Sequence, residues 1–190
     1  MHPWQDANKP YHNNLTSIRR VAAETSAVDD GVGEILAALK ENGFEEEPLV
    51  VYASDQGWMG GQNGFFGMGD HTKPIAAHDL MMQVPLIFRQ PGAVVAGTSD
   101  LLVSNYDFFP SVLDQLGLAR RIPEKANLPG RSFAPVLKGE AVEWTNEIVY
   151  EMEGCRSYRD NRWKIVLRRF PTGPSELYDL QTDPHELRNL

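Results

Sequence analysis

Two adjacent oxygen-donor side chains, Asp55 and Gln56, follow the apolar run Leu49-Val50-Val51-Tyr52-Ala53, and Gly57 then lets the chain turn away. In an open α/β sheet, ligands bind beyond the carboxyl ends of the strands, which is where this pair falls. A carboxylate beside an amide carbonyl offers two hard oxygen donors, a set that suits Ca²⁺ or Mg²⁺ far better than zinc. On spacing alone, an Asx-type turn closing a strand accounts for the same residues equally well. Residues 57–74 hold six glycines and are too polar for a core element. Long loops of that kind in compact domains are usually functional. Near the end of this one, His71, Thr72 and Lys73 form a donor cluster suited to a small oxyanion. A solvated loop with incidental charges is the competing explanation.

Other chemistry-bearing residues are weaker candidates. Cys155 is the single cysteine, so no internal disulfide is available, and no clustered His completes a zinc site. Only Arg156 could activate it from nearby in sequence, which favours a structural thiol. Asp29-Asp30 reads as a solvated pair on a helix face, and Asn14-Leu15-Thr16 fits a glycosylation sequon of the kind that arises by chance. The formal net charge of −8, from 26 acidic against 18 basic residues, excludes a general nucleic-acid binder while permitting a local cationic pocket. No run is apolar and long enough to suggest a membrane span, and the first residues lack the pattern of a signal peptide. Localisation is therefore not written in the sequence.

The elements that must position these residues follow from periodicity. Apolar residues over 18–42 recur at helical spacing (Ile18, Val21, Ala22, Val28, Val32, Ile35, Leu36, Leu39), and Asn42-Gly43 supplies a left-handed stop. Residues 49–53 and 84–88 are continuous apolar runs, the pattern of strands buried on both faces in a parallel sheet. A short strand at 101–103 leads into a helix over 107–116, with Pro110 expected early in it. Helix–strand alternation over 18–117 implies an open α/β sheet. Residues 120–139 form a Pro/Gly-punctuated linker. The runs 147–152, 155–158, 163–168 and 176–180 then read as an antiparallel meander.

Five stretches in register resemble the sulfatases of the alkaline-phosphatase superfamily. They are the helix Ala27-Val28-Asp29-Asp30-Gly31-Val32-Gly33-Glu34-Ile35-Leu36, the strand and turn ending in Ser54-Asp55-Gln56-Gly57, and Gln83-Val84-Pro85-Leu86-Ile87-Phe88-Arg89-Gln90-Pro91-Gly92. The others are Asp107-Phe108-Phe109-Pro110-Ser111-Val112-Leu113-Asp114 and the ending from Arg162-Trp163-Lys164-Ile165 to Glu176-Leu177-Tyr178-Asp179-Leu180 and Asp183-Pro184-His185-Glu186-Leu187-Arg188-Asn189-Leu190. The resemblance covers about residues 18–190. It implies an alkaline-phosphatase-like open sheet flanked by helices over 1–118, a linker over 119–140, and a small antiparallel β subdomain over 141–190.

The resemblance also implies a chemistry: hydrolysis of sulfate esters by a formylglycine nucleophile, with Ca²⁺ polarising the sulfate and Lys and His donors neutralising its charge. Asp55 and Gln56 take the positions of two metal ligands, and Lys73 and His71 those of sulfate-contacting donors. Many relatives carry Gly-Lys-Gly where this chain has Gly67-Met68-Gly69, so Lys73 stands in for a displaced lysine. His2-Pro3 resembles the position of the leaving-group His, and an ordinary terminal His explains it as well. Cys155-Arg156-Ser157-Tyr158 is not the formylglycine motif, and no paired acids complete the metal site. The expectation is a C-terminal sulfatase portion, with the formylglycine and the remaining Ca²⁺ ligands supplied from elsewhere and no activity in isolation. Its partner would be a sulfated small molecule or glycan, which Arg156, Arg159 and His185 could contact unless they are plain surface charges. A phosphodiesterase or phosphonate hydrolase of the same superfamily, and a non-catalytic remnant, are the alternatives.

Overall fold

The computed structural model describes residues 10, 14–69, 72, 74–169 and 173–190. Helix α1 spans Leu15–Glu41. Its start is fixed by Asn14, whose side chain accepts from the Thr16 and Ser17 amides at 2.9 and 3.3 Å, so the sequon asparagine is an N-cap. Its end is closed by Gly43 at φ 78°, where the Phe44 N–H donates to Leu39 O at 2.8 Å. None of its residues, all of them described, is buried; Ile35 on the apolar stripe is 61% exposed. Asp29 and Asp30 are exposed, as a solvated face requires.

Strand β1 (Val50–Ala53) pairs with β4 (Leu86–Arg89), Val50 opposite Arg89 and Ala53 opposite Leu86. The pairing is antiparallel, and both strands are only half-covered, unlike the doubly buried parallel strands their composition suggests. Apolar composition reports burial and not strand direction. Between β1 and β4 the chain makes a small hairpin, β2 (Met59–Gly60) with β3 (Phe66–Gly67), and one helical turn, α2 (Asp79–Met82).

The glycine-rich stretch is packed rather than solvated. Met59 is fully buried and, with Ala76, Met81 and Phe65, forms a small core of its own. Gly57 permits this: a Cβ there would lie 2.4 Å from Leu80 O and 2.7 Å from the Met81 carbonyl carbon.

Residues 101–103 are irregular rather than a strand. They are tied by the Leu102 N–H to Asn146 Oδ1 at 2.9 Å and by Trp144 Nε1 donating to Leu102 O at 3.0 Å. Helix α3 spans Asn105–Gln115 and opens on a capping box between Ser104 and Asp107. Because it begins two residues before the expected 107, Pro110 lies in its second turn and cannot donate to the Tyr106 carbonyl. Gly130 packs there instead; a Cβ on it would fall 1.9 Å from Tyr106 O. The proline- and glycine-punctuated segment thus folds back on α3. Arg131 N–H donates to Asp107 Oδ1 at 2.7 Å, Phe133 N–H to Ser111 Oγ at 2.9 Å, and the short helix α4 (Ala134–Leu137) follows.

The C-terminal sheet runs β5 (Ile148–Met152), β6 (Cys155–Arg159), β7 (Trp163–Arg168) and β8 (Glu176–Asp179), antiparallel in sequence order. Strand alternation sends Cys155, Ser157, Lys164, Val166 and Tyr178 inward. There Cys155 and Val166 meet Ile75 and Ala77, so the loop after β3 packs against this sheet. The tail closes its last edge: Leu190 N–H donates to Leu177 O at 3.0 Å, and Asn189 Oδ1 accepts from Leu177 N–H at 2.9 Å.

Gly57→Ala is expected to destabilise the protein by about 1–3 kcal/mol, since the new methyl meets backbone rather than a movable side chain. The urea midpoint measures this; an unchanged midpoint would contradict the close approach.

Candidate functional site

Asp55 and Gln56 lie on the turn leaving β1, and both are exposed. The turn is closed locally by Ser54, whose Oγ donates to Gln56 O at 2.9 Å and lies 3.5 Å from Asp55 Oδ1. Behind it, Gly57 N–H donates to Met81 O at 3.1 Å, and the Gln56 Nε2 meets the Met68 sulfur. The oxygen of the Gln56 amide is the atom it would offer a cation. An exposed carboxylate beside an amide oxygen fits a hard divalent ion in kind. It does not fit in number, because Ca²⁺ takes about six to eight oxygens. Among the described residues no group of three or more His, Cys, Asp or Glu side chains converges as a metal site.

His2, His71 and Lys73 lie outside the described residues. Thr72, grouped with the latter two as an anion donor, is fully buried. Its Oγ1 donates to Gly69 O at 2.7 Å and accepts from Ala76 N–H at 2.6 Å, so it shapes the loop rather than facing a ligand. Cys155 is 2% exposed, and burial pushes its thiol above the usual range, against the opposing pull of Arg168. That is an unreactive structural thiol. Arg156 pairs with Glu151 at 2.9 Å and Arg159 with Asp79 at 2.9 Å, while the backbone oxygen of His185 accepts from Asn63 Nδ2 at 3.0 Å.

Among the described residues, Lys164, Asp79, Glu186 and His78 form a buried charged cluster the sequence did not single out. Lys164, 2% exposed on the inner face of β7, lies 2.8 Å from Asp79 Oδ1 and 2.6 Å from Glu186 Oε1. Glu186 Oε2 accepts from the Asp79 N–H at 2.6 Å and stands 3.6 Å from His78 Nδ1. Burial alone would raise the Glu186 carboxyl. Its His78 and Lys164 partners and the Asp79 N–H outweigh that, and its pKa lies below the ordinary glutamate value. One signal was available: Lys164 shares the inward parity of Val166, and an inward lysine needs an acid.

A family description for sulfatases matches residues 2–118, and one for the C-terminal region of N-sulphoglucosamine sulphohydrolase matches residues 75–190. The chain belongs to the sulfatase family. Its alkaline-phosphatase-like α/β fold carries a small antiparallel sheet at the C-terminus. The N-acetylglucosamine-6-O-sulfatase of Bacteroides thetaiotaomicron is 30% identical over 186 residues, covering 91% of this chain and 32% of that protein. A solved structure of a protein in complex with its substrate, D-glucosamine-2-N,6-O-disulfate, has a TM-score of 0.72 at 27% identity, over 87% of this chain and 34% of that one. The phosphonate monoester hydrolase of Agrobacterium radiobacter has a TM-score of 0.69 at 29% identity, over 86% and 35%. This sulfatase chain spans about a third of the length of the curated relatives it matches. It corresponds to their C-terminal portion.

A carboxyl whose folded pKa is lowered contributes stability above its unfolded value, and that contribution fades as the pH falls through the folded one. Glu186→Gln is expected to cost about 3 kcal/mol near neutral pH by leaving Lys164 under-paired. It should also flatten the loss of stability below pH 4.5, the unperturbed value. Urea midpoints from pH 3 to 7 measure both; the same acid-side slope in the variant would refute the assignment.

Proposed function

We propose that this chain contributes the C-terminal part of a hydrolase acting on sulfate esters of a sulfated sugar, and that Asp55 and Gln56 are two of its Ca²⁺ ligands. The observation that carries the proposal is the placement of this pair. A carboxylate and an amide oxygen stand exposed at the end of β1, on a turn braced from behind by Gly57, Met68 and α2. In such a site the cation withdraws charge from sulfate oxygens and favours ionisation of the nucleophile. Within this chain, Asp55 supplies the negative charge that holds a cation, Gln56 supplies a neutral oxygen, and His71 and Lys73 serve as proton and charge donors to the sulfate. The nucleophile is a formylglycine from outside these 190 residues. Cys155 cannot take that role, being buried, unreactive and outside the modification motif.

The same reading divides the chain into a catalytic-domain part at 1–118, a connecting segment at 119–140 and a C-terminal subdomain at 141–190. The uncovered apolar stripe of α1 supports a larger sheet packing there in the working enzyme. An amino-sugar sulfate is the substrate class the relatives suggest, since one acts on N-acetylglucosamine-6-sulfate groups by name and another holds a disulfated glucosamine. The likeness to a phosphonate monoester hydrolase, together with Met68 where many sulfatases carry lysine, keeps phosphonate and phosphodiester hydrolysis as the second reading.

The purified chain is expected to release no product from an aryl sulfate above the uncatalysed rate. Ca²⁺ in the millimolar range, as for weak sites with few ligands, should shift the amide resonances of Asp55 and Gln56. Asp55→Asn should abolish those shifts. Turnover by the isolated chain would overturn its inactivity, and Ca²⁺ shifts that survive in the variant would overturn the ligand role.

A further inference from the structure

We infer that Glu186 and Lys164 are positioning residues: they clasp the C-terminal tail and sheet onto α2 and thereby hold the Asp55-Gln56 turn in place. The inference rests on the reading of that turn as the ligand pair, and it adds residues of the C-terminal subdomain to the machinery of the site.

The path is continuous and short. Lys164 on β7 meets both Asp79 Oδ1 and Glu186 Oε1, at 2.8 and 2.6 Å. Arg159 on β6 holds the other Asp79 oxygen at 2.9 Å. Glu186 also accepts from the Asp79 backbone N–H at 2.6 Å, so α2 is gripped at its first residue by backbone and side chain alike. At the other end of that single turn, Met81 O accepts from Gly57 N–H at 3.1 Å, one residue beyond Gln56. Gly57 packs so closely on Leu80 and Met81 that any movement of α2 must move the turn. A second tie runs in parallel: Asn63, between β2 and β3, donates from Nδ2 to the His185 oxygen at 3.0 Å.

Backbone conformation points to the same place. Asn63 and Glu186 both have positive φ, 52° and 54°, and they meet at this contact. For Glu186 that conformation is unfavourable, and it persists only where the surroundings over-determine it. They do so here. Asp183 caps the tail by accepting from Leu187 N–H at 3.0 Å and Arg188 N–H at 2.8 Å, which aims the Glu186 carboxylate inward. Asn189 and Leu190 pair the tail with Leu177 at the sheet edge, while Glu186 and Lys164 reach Asp79 at the start of α2.

The test is amide exchange of the full 190-residue chain by NMR, comparing Glu186→Ala, the double variant Lys164→Met with Glu186→Gln, and Ser111→Ala. The last removes a buried bond between α3 and Phe133, remote from the clasp. Glu186→Ala is expected to speed exchange of the Gly57 amide by about tenfold or more and to shift Asp55 and Gln56, while β5–β7 keep their protection. The double variant breaks the Lys164 contacts yet retains an acceptor for the Asp79 N–H, and it should also speed Gly57 exchange, by less than Glu186→Ala. Ser111→Ala should leave Gly57 unchanged. Gly57 exchange that is unaffected by Glu186→Ala, or raised equally by Ser111→Ala, overturns the positioning role. If Glu186→Ala does not fold, the double variant decides: near-native exchange at Gly57 overturns the role, and exchange raised there while β5–β7 stay protected supports it. Gly57 exchange is read without metal, so absent Ca²⁺ shifts in the unmutated chain would count against the ligand reading alone.

Discussion

A lysine ammonium buried between two carboxylates is the interaction on which this structure turns. Lys164 is 2% exposed, and an unpaired ammonium at that depth would be unsupportable. It is tolerable because Asp79 and Glu186 reach it from two different parts of the chain. Replacing such a cluster with apolar residues often costs nothing, so its value is not bulk stability. What it supplies is geometry. Hydrophobic contact between Ile75, Ala77, Cys155 and Val166 lets the C-terminal sheet lie against the loop region, but apolar contact is non-directional. The ion cluster fixes where along that surface the sheet sits.

The fold that results is lopsided. The C-terminal sheet is well paired and packed, and α3 is tightly joined to the segment after it through Asp107, Ser111 and Asp114. Helix α1 and the β1–β4 pair, by contrast, show apolar side chains to solvent. In the sulfatase family this chain aligns with about a third of each curated relative. The exposed candidate ligands belong to the less covered region, and their bracing comes from the better covered one.

Much of the architecture is local and was therefore readable. Helical periodicity and the Asn42-Gly43 stop marked α1, and alternation marked the four strands of the meander, because each depends on residues adjacent in sequence. The direction of β1 against β4 was not readable from their apolar composition, since that composition reports burial and not direction. Residues 101–103 had the residue types of a strand but form none, and Asn146 and Trp144 take the backbone groups of Leu102 instead. Thr72 looked like an anion donor beside His71 and Lys73; its burial follows from a turn on Gly69 and Ala76 that composition does not encode.

The sequence by itself determined the family, the helix and strand content, and the two oxygen donors at the strand end. Those features rest on residue type and short-range spacing, which do not change when the chain folds. Only the tertiary structure decided that Gln56 faces Met68, that Cys155 is sealed off, and that Lys164, Asp79 and Glu186 form one site. Those three residues are spread over more than a hundred positions of sequence, and apart from the inward parity of Lys164 nothing local marks them out. It takes the inward parity of β7 and the strained turn at Glu186 to bring them together out of water, where their charges become decisive.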